Sequence, residues 1–76
     1  MKVIIENLIE KKVSEFQKRT GATKTFLANR MEISPQRMYQ IMRSDNNNMM
    51  LDVLVRFALV LDCKIDDLIE YRDGHK

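Results

Sequence analysis

GATKTFLANRMEISPQRMYQIMRS, residues 21–44, holds the pattern that decides the fold. Thr23 is a good N-cap because its hydroxyl can take a main-chain amide left open at a helix start. Phe26, Leu27, Ala28 and Met31 follow it, which predicts a short helix over 24–31. Glu32-Ile33 then reads as a tight turn. Ser34-Pro35 is a second start signal: Ser caps, and Pro at the first helical position gives up an amide that had no partner there. Met38 and Ile41 supply the buried side of this helix, which is expected to run to about Arg43. Two short helices joined by so brief a turn must cross closely.

Working outward, Ile5, Leu8, Ile9, Val13 and Phe16 form one apolar stripe on a preceding helix. Lys18 and Arg19 suit its last turn, and Gly21 suits a left-handed cap. Val3 and Ile4 either extend that helix or form a short strand; the sequence leaves both open. After Arg43, Ser44-Asp45-Asn46-Asn47-Asn48 is a polar loop, with Asn48 placed to cap a fourth helix. Leu51, Leu54, Val55, Ala58, Leu59 and Leu61 predict that helix as largely buried, and Asp62-Cys63-Lys64 breaks it. Asp66 and Asp67 open an expected short fifth helix with Ile65, Leu68 and Ile69 as its apolar contacts and Tyr71 at its end. Residues 72–76 are expected to fray. The expected fold is all-α: five helices in a single domain over 1–76, with its core at about 5–71.

Composition agrees with a small helical domain. The chain has 76 residues and only 2 glycines and 1 proline, too few for a meander of tight turns. So short a chain buries only ~60% of its unfolded surface, and a deep catalytic cleft is hard to cut from it. The single cysteine, Cys63, excludes an internal disulfide and fits a reducing cytoplasm. One cysteine and one histidine, His75, give no zinc ligand set. Asp66 and Asp67 are neighbours whose side chains diverge on a helix, so they read as helix-start residues and not as a metal or acid pair. No metal, cofactor or catalytic residue is expected, and no segment suits export or a bilayer. Net charge is +2, unevenly spread: residues 17–43 carry six basic side chains against the single Glu32, whereas 44–76 carry four basic and seven acidic. A basic middle between neutral and acidic flanks suits a local anion-binding face.

The 21–44 segment closely resembles the helix-turn-helix of the Cro/repressor-type (XRE) family, and MLDVLVRFALVLDCKIDDLIEY looks like the two helices that follow it there. Ala28 stands where that family needs a small residue between its helices, Ile33 and Ser34 at the turn and cap, and Met38 and Ile41 on the buried side of the reading helix. Leu51, Leu54, Ala58, Leu61 and Leu68 match its later core. Two positions depart: Glu32 stands where glycine is frequent, and if it must adopt a positive φ the strain is ~1–2 kcal/mol; Lys64 stands where serine commonly caps the fifth helix. The resemblance implies a lambda-repressor-like domain whose third helix enters the major groove of double-stranded DNA.

A major groove admits one helix and is read by side chains near its N-terminal end. Pro35, Gln36, Tyr39 and Gln40 share a face. Gln bonds bidentately to adenine, so Gln36 and Gln40 are the leading base readers, and both match base-contacting positions of the family. Tyr39 packs on a thymine methyl, bonds a phosphate, or merely covers the helix edge. Arg37 reaches either a phosphate or a guanine edge. Thr23 and Lys24 at the start of helix 2, Arg43, and Ser44, Asn46 and Asn47 in the following loop are the expected phosphate contacts, which position the protein without reading sequence.

The implied function is a cytoplasmic, phage-like or Cro-like repressor. It would bind as a homodimer on half-sites ~34 Å apart, its dimer surface lying in the fourth–fifth helix region or at Val3 and Ile4. The competing reading is a protein-interaction module on the same fold, the antitoxin of a toxin or a phage anti-regulator, with Met49, Met50 and Tyr71 as its partner surface. A neighbouring gene for a small basic toxin favours the second reading, and an inverted repeat upstream favours the first.

Overall fold

A computed structural model describes residues 1–43 and 50–74. It contains β1 (Val3–Asn7), α1 (Ile9–Thr20), α2 (Lys24–Arg30), α3 (Pro35–Met42), α4 (Leu51–Leu61), a single 3-10 turn (Ile65–Asp67) and β2 (Ile69–Asp73). The expectation of five helices in an all-α fold is therefore corrected, among the described residues, to four α-helices and a two-stranded antiparallel sheet.

The missing fifth helix and the strand at the N-terminus have one cause. Val3-Ile4-Ile5 and Ile69-Glu70-Tyr71 are rich in β-branched and aromatic residues, which suit a pleated strand better than a helix. They pair across almost the whole chain, Val3 opposite Asp73 and Asn7 opposite Ile69. Ile5 thus belongs to a strand and not to the stripe of α1, and Arg72 and Asp73 are paired where fraying was expected. Lys64, lacking a side-chain acceptor, leaves the last turn without a cap of its own; Asp67 reaches back to accept from the Lys64 amide at 3.1 Å, and one 3-10 turn is all that forms.

Asn7 is the hinge between sheet and helices. Its Oδ1 accepts from the Ile9 amide at 2.9 Å, opening α1, and its Nδ2 donates to the Ile41 carbonyl near the end of α3 at 3.0 Å. The Leu8 amide donates to the Leu68 carbonyl at 2.8 Å and carries the pairing of the chain ends into the core.

The core is continuous and apolar. Ile9 and Val13 of α1, Leu27 and Ala28 of α2, Met38, Ile41 and Met42 of α3, and Val53, Leu54, Phe57, Ala58 and Leu61 of α4 are buried, joined by Met31 and Leu68. Phe57 is completely buried and heads the large core side chains, although the apolar stripe read from the sequence passes it by. That stripe is also corrected at Leu51 and Leu59, which are 70% and 76% exposed; α4 buries the face through Val53, Leu54, Phe57, Ala58 and Leu61.

Three helices end in a left-handed residue, and only one of these is glycine. Gly21 has φ 76°, Glu32 φ 59° and Asp62 φ 53°. At the end of α2 the Glu32 amide donates to the Asn29 carbonyl and the Ile33 amide to the Ala28 carbonyl, both at 3.1 Å. This pair of bonds closes the helix and reverses the chain. The turn into α3 therefore requires the left-handed backbone, and Glu32 adopts it without the freedom of glycine.

Candidate nucleic-acid interface

α2 and α3 each begin on the cap that their sequence announces. Thr23 Oγ1 accepts from the Phe26 amide at 3.0 Å, and Ser34 Oγ accepts from the Arg37 amide at 3.1 Å, with Pro35 in the first turn. Both caps fix where the exposed side chains point. Met38, Ile41 and Met42 anchor α3 in the core, so its other side faces outward.

Gln36, Tyr39, Gln40 and Arg43 are exposed and line one open depression. They recur at i, i+3, i+4 and i+7, a single stripe along the helix. Three of them are expected base readers and the fourth an expected phosphate contact. Arg37 is exposed on the same helix but lies outside this depression. Ser44, Asn46 and Asn47, and the Asn48 cap, fall outside the described residues.

Tyr39 organises the charge around the stripe. Lys24 Nζ lies 5.2 Å from its ring centre and the Arg43 guanidinium 5.8 Å. Each such contact contributes ~0.5–1 kcal/mol at an exposed site. Lys24 from the start of α2 and Arg43 from the end of α3 are thereby held on one ring, which is 38% exposed. This juxtaposition of two cations and a tyrosine crosses two helices, so no local pattern announces it. Phe26 stands 52% exposed on α2 and not in the core, with the Arg30 guanidinium 6.0 Å from its ring centre.

Arg56 is a supporting residue that the sequence reading missed. Its Nη1 donates to the Met31 carbonyl at 2.8 Å, and its Nη2 lies 3.2 Å from Asp52. Met31 ends α2, so this guanidinium ties α4 to the turn that sets α3. The Asp52–Arg56 spacing of four was the available signal; the carbonyl that Arg56 reaches was not.

The arrangement offers amide donors and a cationic rim. Among the described residues no group of three or more His, Cys, Asp or Glu stands close enough to hold a metal, and no helix is long and apolar enough to cross a membrane. No curated protein matches the sequence. Residues 12–74 match the family model described as the Cro/C1-type HTH DNA-binding domain. That match spans both caps, the Glu32 turn, the Gln36–Arg43 stripe and all of β2, and on it the chain belongs to the Cro/C1-type helix-turn-helix DNA-binding family.

Proposed function

We propose that the protein is a sequence-specific transcriptional regulator, a Cro-like repressor that reads the major groove of double-stranded DNA with α3. The observation that carries this reading is the exposed stripe Gln36, Tyr39, Gln40 and Arg43 on the reading helix of a helix-turn-helix domain. Gln36 and Gln40 present amides that match adenine N6 and N7. Tyr39 sits between them and the cationic rim, and Arg37 reaches the groove wall or a guanine edge. Lys24 and Arg43, held at the Tyr39 ring, bond phosphates and fix the register of the helix in the groove. Thr23 keeps Lys24 in place through its cap, and Ser44, Asn46 and Asn47 are further phosphate contacts of this reading. The protein works in the cytoplasm as a homodimer on a near-palindromic site, since one domain offers few contacts and two double them.

The test is a titration against the DNA upstream of its own gene and against scrambled DNA at two salt concentrations, with Gln36→Ala/Gln40→Ala alongside. Preference for the upstream DNA, steep weakening with salt, and loss of the preference alone in the double variant support the reading. Weak binding indifferent to sequence overturns it.

A further inference from the structure

Tyr39 stands in the reading stripe, but its surroundings point to a task other than reading. Lys24 Nζ and the Arg43 guanidinium lie 5.2 Å and 5.8 Å from its ring centre. Arg43 follows four residues on, at the C-terminal end of α3, a spacing that brings side chains of one helix face together. Lys24 opens α2 and comes from much earlier in the chain. One ring therefore holds cations from the ends of two different helices. Lys24 is half-buried, whereas Arg30 at the other end of the same helix is exposed.

A ring holds a cation differently from a carboxylate. Glu32 is the sole acidic residue between positions 17 and 43, and among the described residues neither Lys24 nor Arg43 stands in an ion pair. A carboxylate would neutralise each cation, and DNA would have to displace it before a phosphate could bond. The face of a tyrosine ring attracts the cation through its quadrupole and leaves the whole charge in place. Two cations gathered at one ring also repel each other, and a phosphodiester backbone relieves that repulsion. Lysine and arginine have more rotamer freedom to lose than most side chains. A side chain confined beforehand loses less of it on binding.

We propose that Tyr39 is a positioning residue for the phosphate contacts of Lys24 and Arg43: its ring sets both cations in place before DNA arrives, and it reads no base itself. The ring is then essential and the hydroxyl dispensable. The contributions of Lys24 and Arg43 are coupled through the ring although they belong to different helices. Sequence reading within the stripe is left to Gln36 and Gln40, which flank Tyr39 on the same face. Loss of the ring therefore lowers affinity for every duplex alike and leaves sequence preference as it was.

This inference deepens the proposed function and rests on its assignment of Lys24 and Arg43 to phosphates, not on base reading by the glutamines. Tyr39→Leu and Tyr39→Phe, each alone and in a Lys24→Ala/Arg43→Ala background, are titrated by fluorescence anisotropy against the upstream duplex and a scrambled one. Tyr39→Leu is expected to weaken binding to both on the order of tenfold, from two side chains no longer set in place, with the ratio between the duplexes unchanged. Tyr39→Phe recovers most of that loss. Without the two cations, Tyr39→Leu costs about twofold at most. In the free proteins, ring-current shifts are expected to move the Lys24 ε and Arg43 δ protons upfield in the wild type and in Tyr39→Phe but not in Tyr39→Leu. Circular-dichroism melts report that each variant is folded. A Tyr39→Leu variant that changes the ratio between the duplexes makes Tyr39 a reader and overturns the proposal. So does a Tyr39→Phe variant that binds as weakly as Tyr39→Leu, which assigns the effect to the hydroxyl, or a Tyr39→Leu effect as large without the two cations as with them. A wild type that treats both duplexes alike overturns base reading by the glutamines, while the comparison of variants on either duplex still decides the role of Tyr39.

Discussion

Replacing Glu32 by glycine is expected to stabilise the protein without touching its core. Glu32 holds φ 59° because the Schellman-type closure of α2 needs a left-handed residue there, and its amide and that of Ile33 both bond within this turn at 3.1 Å. A non-glycine residue in that region costs ~1–2 kcal/mol. Glycine removes this strain but loses ~0.5–1 kcal/mol through the greater freedom of the unfolded chain. At the midpoints of these ranges the net gain is about 0.75 kcal/mol. At ~4–8 °C per kcal/mol for a domain of this size, Tm rises by roughly 3–6 °C. Glu32→Ala is the control, since it removes the same charge and keeps the left-handed strain. Thermal melts followed by circular dichroism at low protein concentration read the difference. Glycine is expected to melt above both alanine and the wild type. Asp62→Gly at φ 53° is expected to gain less, because aspartate tolerates this region better than glutamate. If glycine melts at or below alanine at position 32, the turn is not strained and the reasoning fails.

Three further outcomes follow from the same geometry. Arg56→Ala removes the 2.8 Å bond to the Met31 carbonyl and is expected to cost about 1 kcal/mol, reduced from the usual value of a charged donor by its partial exposure; Asp52→Ala, which loses only an exposed ion pair, is expected to cost no more than ~0.5 kcal/mol in the same denaturant titration. Lys24→Ala is expected to weaken binding to every DNA sequence alike and to lower the slope of log affinity against log salt by about 1, which a salt series measures directly. Burial, and then the nearby Asp67 carboxylate, push the Cys63 thiol above its ordinary value. A thiol so raised holds less thiolate at a given pH, so disulfide-exchange labelling at pH 8 is expected to be slower in the folded protein than in the denatured chain, and equal rates contradict this.

The helix-turn-helix pair was legible because its signals are local. Thr23 and Ser34-Pro35 announce two helix starts within a dozen residues, and both hydroxyls accept the main-chain amides that such caps imply. Met38 and Ile41 mark the buried side of α3, which leaves Gln36, Tyr39 and Gln40 outside. The chain ends were misread for the converse reason. Ile5 and Leu8 fit the spacing of α1, and Ile65, Leu68 and Ile69 fit a short helix, until each segment is set beside the other. Val3–Asn7 becomes a strand because Ile69–Asp73 is there to pair with it, and a window along the sequence does not contain both. The same distance in sequence hides the Arg56 bond to Met31, the Asn7 bond to Ile41 and the meeting of Lys24 with Tyr39. Leu51 and Leu59 fit the apolar run of α4, and Leu51 the family's core pattern as well, yet both face outward and Phe57 turns inward.

The most direct test of base reading by α3 is selection of bound duplexes from a random pool, run in parallel on the wild type, Gln36→Ala, Gln40→Ala and Lys24→Ala. The account predicts a defined wild-type motif whose preference relaxes at one or two positions per half-site in each glutamine variant, and stays unchanged in Lys24→Ala although recovery falls. A wild-type motif that survives both glutamine substitutions intact, or that changes with Lys24→Ala, would contradict it.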